Sequence, residues 1–208
     1  MDNVAKRYGK RMTWETKSKI MGTTAKSYTK IIVDDLSLPI TPEQFMQELD
    51  SEYPKVFPLV SLMPGVQKLL DHLRKNKIPM AIASSSRRVN FAEKTSHFGP
   101  EFQNYFHHLV FASDEPEVKA SKPAPDTFLV CRKRFDPIPD KSNCLVFEDS
   151  VAGVTAGVRA GMPVVWVPDP RLDVKSFLAK EGDLKPTQIL SSISDFKPED
   201  FGLPPYAS

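Results

Sequence analysis

The sequence predicts an α/β protein in which a parallel sheet follows an N-terminal helical region. Residues 1 to about 60 show helical periodicity and no convincing strand. From Pro64 onward, short apolar runs of strand length alternate with helical segments, which favours a parallel sheet with right-handed crossovers. Polar and charged side chains follow two of these runs directly, and such folds bind ligands at the carboxyl ends of their strands.

Composition narrows the class of protein before any motif is considered. The chain has 208 residues, of which 40% are hydrophobic and 26% charged, as in a soluble globular protein of one domain or of one domain with a small insertion. Its net charge of +2 is spread over mixed acidic and basic residues, so we expect no nucleic-acid binding. With no signal peptide and no run of about 18 apolar residues, we expect no membrane span. Two cysteines, Cys131 and Cys144, make no disulfide framework, which favours a reducing, cytoplasmic location.

The N-terminal region is predicted to hold three helices. The clearest start is at Thr41, a capping residue that is followed by Pro42 at the first helical position. Apolar residues then recur at helical spacing until Pro58. The other two helices are predicted over residues 14–21 and 24–36. We expect a helical domain over residues 1–62 and an α/β domain over residues 63–208.

The α/β region is predicted to alternate four helices with four strands. The strands are apolar runs over residues 78–83, 109–112, 144–147 and 163–167. The helices are predicted over residues 65–76, 87–97, 123–135 and 150–161. The proline-rich tail over residues 195–206 is predicted to pack irregularly on the surface.

Two adjacent acidic residues, Glu148 and Asp149, end the apolar run 144–147. Neighbouring carboxylates repel each other unless a cation lies between them and their surroundings, and a hard divalent ion such as Mg²⁺ prefers oxygen ligands. An alternative interpretation is that Asp149 or Ser150 caps the following helix and Glu148 interacts with its dipole. The pair therefore predicts a metal site or a helix start.

Two other segments carry groups suited to binding an anion. Ser84, Ser85 and Ser86 follow the strand 78–83 and offer hydroxyls and backbone N–H groups. Lys122 lies in a stiff Lys-Pro-Ala-Pro segment just before a predicted helix. Each segment alone is typical of a solvated loop. Together with the acidic pair they predict a phosphate site.

The order of these segments resembles the motifs of a known enzyme family. Ala-Ser-Ser-Ser, Ser-Lys-Pro-Ala-Pro-Asp and Phe-Glu-Asp-Ser-x-x-Gly-x-x-Ala-Gly-x-x-Ala-Gly-Met resemble the second, third and fourth motifs of the haloacid-dehalogenase-like (HAD) hydrolases. The resemblance implies a Rossmann-like parallel sheet and identifies the helical region as the cap that this family inserts after its first strand. Within the superfamily, the chain is most similar to the pseudouridine-5′-phosphatase (GS1-like) branch, through segments such as 62–65, 94–96 and 116–118.

The resemblance also implies a chemistry for each segment. The family hydrolyses small phosphorylated metabolites through a phospho-aspartyl intermediate. The serine turn would bind the phosphate, and Lys122 would act in catalysis by offsetting negative charge on the phosphate and on the nucleophile. Glu148 and Asp149 would hold Mg²⁺, which bridges nucleophile and phosphate. A second aspartate, two residues after the nucleophile, would serve as general acid and base.

Both aspartates of that mechanism belong to an Asp-x-Asp motif on the family's first strand, and this sequence contains no Asp-x-Asp. Asp34 and Asp35 are adjacent and lie in a helical pattern instead. We therefore expect an N-terminally truncated chain that is inactive, marginally stable or both, because it lacks the nucleophile and the first strand. The strands 78–83 and 144–147 would then face each other with unpaired edges. An Asp-x-Asp encoded upstream of Met1 would assign the enzymatic function to the full-length protein.

Substrate choice and two other functions remain open. The cap reads the leaving group in capped members, so Met21, Thr23 and Thr24 are candidate substrate residues, as is Arg87 after the serine turn. The alternative for each is a solvated loop or helix surface. A nucleotide like pseudouridine 5′-phosphate or a sugar phosphate is the expected substrate. The other functions are a non-catalytic anion-binding module and an unrelated α/β protein, and no pattern predicts the oligomeric state.

Overall fold

The computed structural model describes residues 1–180 and 184–207. In this part of the chain, helices α1 to α9 span Asp2–Arg7, Trp14–Ile20, Ala25–Leu36, Pro42–Val56, Val66–Lys75, Arg88–Thr95, Asp126–Lys133, Val151–Arg159 and Val174–Lys180. Strands β1 to β5 span Ala81–Ser84, His108–Phe111, Val146–Glu148, Val164–Trp166 and Gln188–Ile189. Short 3₁₀ helices span Phe57–Leu59, Ser96–Phe98, Pro100–Tyr105, Lys141–Asn143, Ile193–Asp195 and Pro198–Phe201.

The strands form two parallel sheets. β1 pairs with β2, with Ala81 opposite His108, and β4 lies between β3 and β5. Within the described residues β1 and β3 are not hydrogen-bonded to each other, so the parallel sheet is interrupted between them as the sequence predicts. The α/β class and the parallel strand direction are confirmed.

The first four helices surround an apolar core of their own. Thr41 caps α4 as predicted, and the cap is a capping box: Thr41 Oγ1 accepts a hydrogen bond from the Gln44 backbone N–H at 3.2 Å, and Gln44 Oε1 accepts one from the Thr41 N–H at 2.8 Å. Arg7 of α1 pairs with Glu48 of α4 at 2.8 Å. The buried apolar side chains of this region are Val4, Ile20, Ile32, Val33, Leu38, Phe45 and Leu49.

Both faces of the β3–β4–β5 sheet are covered. Val164 and Trp166 of β4 lie in one buried cluster with residues of α7 and α8, such as Phe128. Val165, between them in sequence, packs in a second cluster with Leu69 of α5. Successive strand residues point to opposite faces, so helices lie on both sides of this sheet. This is the layered arrangement of an α/β fold.

Several predicted boundaries differ from the observed ones. The predicted strand 78–83 is observed as Ala81–Ser84, because Pro79 has no N–H group for a ladder. The predicted strand 144–147 is observed as Val146–Glu148, and Cys144, the first residue of the predicted strand, is half-buried ahead of it. Helices α1 and α9 and strand β5 lie outside the predicted elements, and β5, with two residues, is too short to show a period.

Candidate active site

Lys122 connects the ends of the two sheets. Its ammonium donates a hydrogen bond to the backbone carbonyl of Ala83 in β1 at 3.0 Å and forms an ion pair with Glu148 of β3. Both charged side chains are less than 10% exposed, and the ammonium lies 4.5 Å from the centroid of the Phe128 ring. Because Ala83 precedes Ser84 and Glu148 precedes Asp149, Lys122 brings the serine turn and the acidic pair to one place.

Both carboxylate oxygens of Glu148 have protein partners. Oε1 accepts from Lys122, and Oε2 accepts from the Ser150 hydroxyl at 3.1 Å. Gly153 makes this position possible, because a Cβ there would lie 2.0 Å from the Glu148 carboxyl carbon. Glu148, predicted as a metal ligand, is thus directed toward Lys122 and Ser150 in this arrangement. Ser150 also caps α8, since its hydroxyl accepts from the Gly153 N–H at 3.0 Å.

Asp149 offers the carboxylate that is open to a ligand. It is solvent-exposed, and its backbone carbonyl accepts a hydrogen bond from the buried Trp166 indole at 3.1 Å. Desolvation by the surrounding protein raises the pKa of Asp149, and the negative charge of Glu148 raises it further. No cationic side chain in residues 1–180 or 184–207 pairs with it. A carboxylate in such surroundings is stabilised by a bound cation.

The donor set at this position suits a metal that needs few protein ligands. The described residues hold no cluster of three or more His, Cys, Asp or Glu side chains able to bind a metal. Mg²⁺ is commonly held by one or two carboxylates, with water and phosphate oxygens as its other ligands. Asp149 fits that requirement as one carboxylate ligand next to a phosphate site.

The serine turn is partly satisfied by the protein itself. Ser84 Oγ accepts from the Ser86 N–H at 3.1 Å, and the Arg88 N–H at the start of α6 donates to Asp114 at 2.6 Å. Ser85 Oγ donates to the Gly22 carbonyl at 2.9 Å. In this arrangement the backbone N–H groups of Ser86 and Arg88 already donate to protein acceptors. The acceptor for Ser86 lies in the same turn, and the acceptor for Arg88 lies in the loop that follows β2.

The cap meets the core at a turn that contains three predicted substrate residues. Gly22 has φ +77°, and a Cβ there would lie 2.3 Å from Ser150 Oγ, so only glycine lets the turn approach this closely. The neighbouring side chains are half-buried. Thr23 Oγ1 donates to the Ile20 carbonyl at 2.7 Å, and Thr24 Oγ1 shares a hydrogen bond with Ser27 at 3.1 Å. Met21 is the residue at which α2 ends.

Arg87 reaches the cap. Its guanidinium pairs with Asp50 of α4 and hydrogen-bonds the Asn90 side chain at 3.1 Å. Arg88, next to it, is directed to Glu115 at 3.2 Å and lies over the Phe111 ring at 4.8 Å. The Arg87–Asp50 pair holds α4 against the start of α6, so the predicted substrate arginine is a link between cap and core in this arrangement.

The comparison with known proteins decides the family. A profile described as haloacid dehalogenase-like hydrolase matches residues 1–167. The chain belongs to the haloacid dehalogenase-like hydrolases. The profile spans the helical region and most of the strands, so the resemblance seen in three short motifs extends over most of the chain.

Two relatives among these hydrolases carry phosphatase names. The chain is 41% identical over 199 residues to a Drosophila melanogaster protein described as a probable pseudouridine-5′-phosphatase, covering 96% of this chain and 83% of that protein. It is 40% identical over 203 residues to (DL)-glycerol-3-phosphatase 2 of Arabidopsis thaliana, covering 96% of this chain and 81% of that one. The similarity to the pseudouridine-5′-phosphatase branch is thereby confirmed.

Solved structures of this class share the fold. A β-phosphoglucomutase from Clostridium difficile superposes with a TM-score of 0.76 at 20% identity, over 97% of this chain and 85% of that one. CbbY from Rhodobacter sphaeroides, solved in complex with phosphate, gives a TM-score of 0.73 at 16% identity, over 93% of this chain and 85% of that one. In the part of this chain that the structure describes, no helix combines the length and apolar character that crossing a bilayer requires.

The charged residues of the site are predictable from the sequence, whereas two glycines that matter because they lack a side chain are not. A Cβ at Gly22 would collide with Ser150, and one at Gly153 would collide with Glu148. A glycine beside a polar strand end is the sequence signal for such a close approach.

Proposed function

We propose that this chain carries the metal- and phosphate-binding part of a Mg²⁺-dependent phosphomonoester hydrolase site. The observation that supports the proposal is that Lys122 binds the Ala83 carbonyl, next to the serine turn, and pairs with Glu148, next to Asp149. Relatives with phosphatase names at 40% identity or more support the same reaction class.

Each residue of the proposed site would have a different role in binding. Asp149 would hold Mg²⁺, and the metal when bound would offset the negative charge of the phosphate. The Ser84 hydroxyl would donate to a phosphate oxygen. Lys122 would fix the position of the serine turn relative to the acidic pair. It would also contribute positive charge to the site, although Glu148 offsets that charge. The Gly22 turn of the cap would cover the organic part of the ester and exclude water from it.

The proposed substrate is a small phosphorylated metabolite, either pseudouridine 5′-phosphate or a polyol or sugar phosphate. The names of the relatives support both, since one carries a pseudouridine-5′-phosphatase name and others are glycerol-3-phosphatases. The Met21 to Thr24 turn and Arg87 are the proposed substrate-reading residues of the cap junction. Their present partners, Ile20, Ser27 and Asp50, would have to yield to a ligand.

We also propose that residues 1–208 alone bind these ligands without turning them over. The mechanism of this hydrolase family needs two aspartates spaced as Asp-x-Asp, and the sequence contains no such pair. Removal of a nucleophile commonly lowers kcat by several orders of magnitude. Hydrolysis would therefore need a carboxylate that these residues do not supply.

The test is calorimetric titration of the purified chain with Mg²⁺, phosphate and pseudouridine 5′-phosphate, followed by a phosphate-release assay. We expect phosphate to bind at least about fivefold more tightly with Mg²⁺ present, because both ligands share one site. We expect phosphate release no faster than in buffer alone. Absence of phosphate binding would refute the site, whereas turnover like that of a full-length relative would refute only the proposed inactivity.

A second candidate function is a non-catalytic anion-binding module. The ion pair between Lys122 and Glu148 favours it, because neither side chain then depends on a metal for its stability. Such a module would bind phosphate with the same affinity in the presence and absence of Mg²⁺. The coupling measured in the same titration therefore separates the two functions.

A further inference from the structure

Two adjacent histidines at the start of β2 have ring nitrogens that face each other. His107 directly precedes β2 and is exposed, and His108 is the first residue of the strand and is half-buried. Their Nδ1 atoms lie 2.8 Å apart. His108 is opposite Ala81, the first residue of β1, whereas the serine turn begins at Ser84, the last residue of β1. The histidine pair therefore lies at the opposite edge of this sheet from the proposed phosphate site.

The contact of His108 with α7 determines which of its ring nitrogens carries a hydrogen. Nε2 lies 2.8 Å from the backbone carbonyl oxygen of Cys131, and a carbonyl oxygen can only accept. Nε2 is therefore the donor, and in the neutral ring Nδ1 presents its lone pair to His107. Histidines that bind metals commonly donate their other ring N–H to a backbone carbonyl in this way, which fixes both the tautomer and the orientation of the ring.

The ring of Phe135 packs against both imidazoles. Its centroid is 5.4 Å from the centroid of the first imidazole and 4.6 Å from that of the second. Arg134, the preceding residue, pairs with Glu115 and with Glu117, each at 2.6 Å. Because these carboxylates offset its charge, the neighbouring guanidinium does not present an unpaired positive charge to a cation at the imidazoles.

The spacing of the two Nδ1 atoms matches two neighbouring coordination positions of a metal ion. Metal–nitrogen bonds are about 2.0 Å long, so two nitrogens at a right angle lie about 2.8 Å apart, and two at the tetrahedral angle lie about 3.3 Å apart. Imidazole ligands at right angles are typical of Cu²⁺ and Ni²⁺. In the described residues no cluster of three or more His, Cys, Asp or Glu could bind a metal, so water would complete the coordination.

We propose that His107 and His108 form a binding site for a divalent transition-metal ion, Cu²⁺ or Ni²⁺, through their two Nδ1 atoms. In the free chain the hydrogen between these atoms belongs to His107. Metal binding would shift that hydrogen to Nε2 of the exposed His107 ring, so that both Nδ1 lone pairs face the ion. The site differs from the proposed Mg²⁺ site at Asp149, because Mg²⁺ prefers oxygen ligands. The inference does not depend on the proposed function.

Calorimetric titration of the purified chain with Ni²⁺ at about pH 7.5, where imidazole is mostly neutral, tests the site. We expect one Ni²⁺ to bind, and Mg²⁺ should not compete with it. His107→Gln should bind Ni²⁺ at least about tenfold more weakly, because chelation by two ligands is lost. A glutamine amide can still donate a hydrogen bond to His108 Nδ1, so this variant preserves the hydrogen bond and removes only the metal ligand.

Two further variants serve as controls. His97→Gln removes a histidine that is not adjacent to another histidine and whose Nε2 lies 2.7 Å from the Val60 carbonyl oxygen. Asp149→Asn removes the proposed Mg²⁺ ligand. Both variants should change the Ni²⁺ affinity by less than about twofold, because neither residue belongs to the histidine pair.

Two other measurements report on the ligands and on the fold. With one equivalent of Cu²⁺, the electron paramagnetic resonance spectrum of the unaltered chain should show coupling to two imidazole nitrogens, and that of His107→Gln to at most one. Ni²⁺ should raise the unfolding temperature of the unaltered chain but not that of His107→Gln, because the two rings are held together only in the folded state.

The outcomes separate this inference from the proposed function. If Ni²⁺ does not bind the unaltered chain, or binds His107→Gln equally well, the histidine site is refuted while the phosphate site stands. If Asp149→Asn loses Ni²⁺ binding, the ion occupies the proposed Mg²⁺ position and the histidine site is again refuted. Binding without a rise in unfolding temperature would show that the unfolded chain binds Ni²⁺ equally well, which refutes a site formed by the fold.

Discussion

At the scale of single residues, the site is governed by which charges are neutralised and which are not. Lys122 and Glu148 satisfy each other in a nearly water-free position, while Asp149 has no charged partner of this kind in the described residues. A buried pair adds little net stability, because desolvation offsets most of the attraction. Its role is to hold the ends of β1 and β3 near each other. Charged groups without such a partner are available to ligands.

The first prediction concerns the buried pair. Lys122→Met should lower the free energy of unfolding by about 3 to 5 kcal/mol, because Glu148 is left buried without its cation. Adding Glu148→Gln to this variant should restore more than half of the loss. Lys30→Met is the control, since the Lys30–Asp34 pair is exposed and should cost at most about 0.5 kcal/mol. Urea denaturation measures the free energy of unfolding of these three variants. Equal losses for Lys122→Met and Lys30→Met would contradict the prediction.

The second prediction follows from the raised pKa of Asp149. Stability associated with a raised pKa is complete below the usual aspartate range and is lost as pH rises through the folded-state value, so the charged carboxylate destabilises the fold at neutral pH. Asp149→Asn should therefore raise the unfolding temperature at pH 7 without Mg²⁺. The gain should stay under about 1 kcal/mol, because solvent screens this exposed group.

Calorimetric scans of both proteins over a pH series check this prediction. The difference in unfolding temperature between Asp149→Asn and the unaltered chain should shrink as pH falls toward the usual aspartate range, where the carboxylate of the unaltered chain is protonated. It should also reverse at neutral pH when Mg²⁺ and phosphate are added, since the variant cannot bind them equally well. A variant that is less stable at every pH would show that Asp149 has a structural role instead.

At the scale of elements, the cap and the core are joined by a few close contacts around the site. The Gly22 turn rests on Ser85 and Ser150, Asp50 of α4 pairs with Arg87, and the linker ring of Phe57 lies under Lys94. Trp14 of α2 is half-buried, and its ring centroid lies 4.3 Å from the guanidinium carbon of Arg171, which follows β4. These contacts join the helical region to the strand ends.

The third prediction compares two glycines with the same backbone conformation. Gly22 and Gly9 both have φ near +70°, but a Cβ at Gly22 would lie 2.3 Å from Ser150 Oγ, whereas one at Gly9 would meet no atom within 4 Å. Gly9→Ala should therefore cost only the backbone strain, about 1 to 2 kcal/mol. Gly22→Ala should cost at least about 1 kcal/mol more and should weaken phosphate binding, because the cap turn must move.

Denaturant unfolding and phosphate titration of the two alanine variants test this comparison. Limited proteolysis adds a direct measure of cap opening, with faster cleavage near the cap linker expected for Gly22→Ala only. Equal stabilities and equal cleavage rates would show that the turn adapts to a side chain without cost. The role assigned to the close contact between Gly22 and Ser150 would then be wrong.

At the scale of the whole molecule, two small sheets share one site. β1 and β2 form one sheet and β3 to β5 the other, and within the described residues the facing edges of β1 and β3 are not paired with each other. Unpaired strand edges are costly inside a fold and promote association when exposed. The ion pair of Lys122 is one connection between the two sheets near the site, and Ala83 of β1 also packs against the buried cluster that contains Val146 of β3.

The fourth prediction is that ligands which bridge the two sheets stabilise the whole molecule. Mg²⁺ and phosphate, each at about 100 times its dissociation constant, should raise the free energy of unfolding by about 2.7 kcal/mol or more. For a chain of this size, that corresponds to a rise of roughly 5 to 10 °C in the unfolding temperature. Potassium chloride at the same ionic strength should give no comparable rise. Binding without thermal stabilisation would show that the ligands do not bridge the sheets.

The order and type of the main elements were predictable from local patterns. Helical spacing located α2 to α5, and apolar runs located β1 to β4, because the side-chain periods of helices and strands are set by the backbone itself. The motifs also predicted that Ser84, Lys122 and the acidic pair belong to one region, since the carboxyl ends of parallel strands lie together. These properties depend on neighbours a few residues apart.

The partners of the charged groups could not be predicted in this way. Lys122 meets Glu148 across 26 residues and Arg87 meets Asp50 across 37, so their pairing depends on how distant segments pack. The same holds for the interruption between β1 and β3, which depends on where the two small sheets lie in the folded chain. Local sequence sets backbone geometry, but neutralisation of a charge depends on distance and solvent exposure, which exist only once the chain is folded.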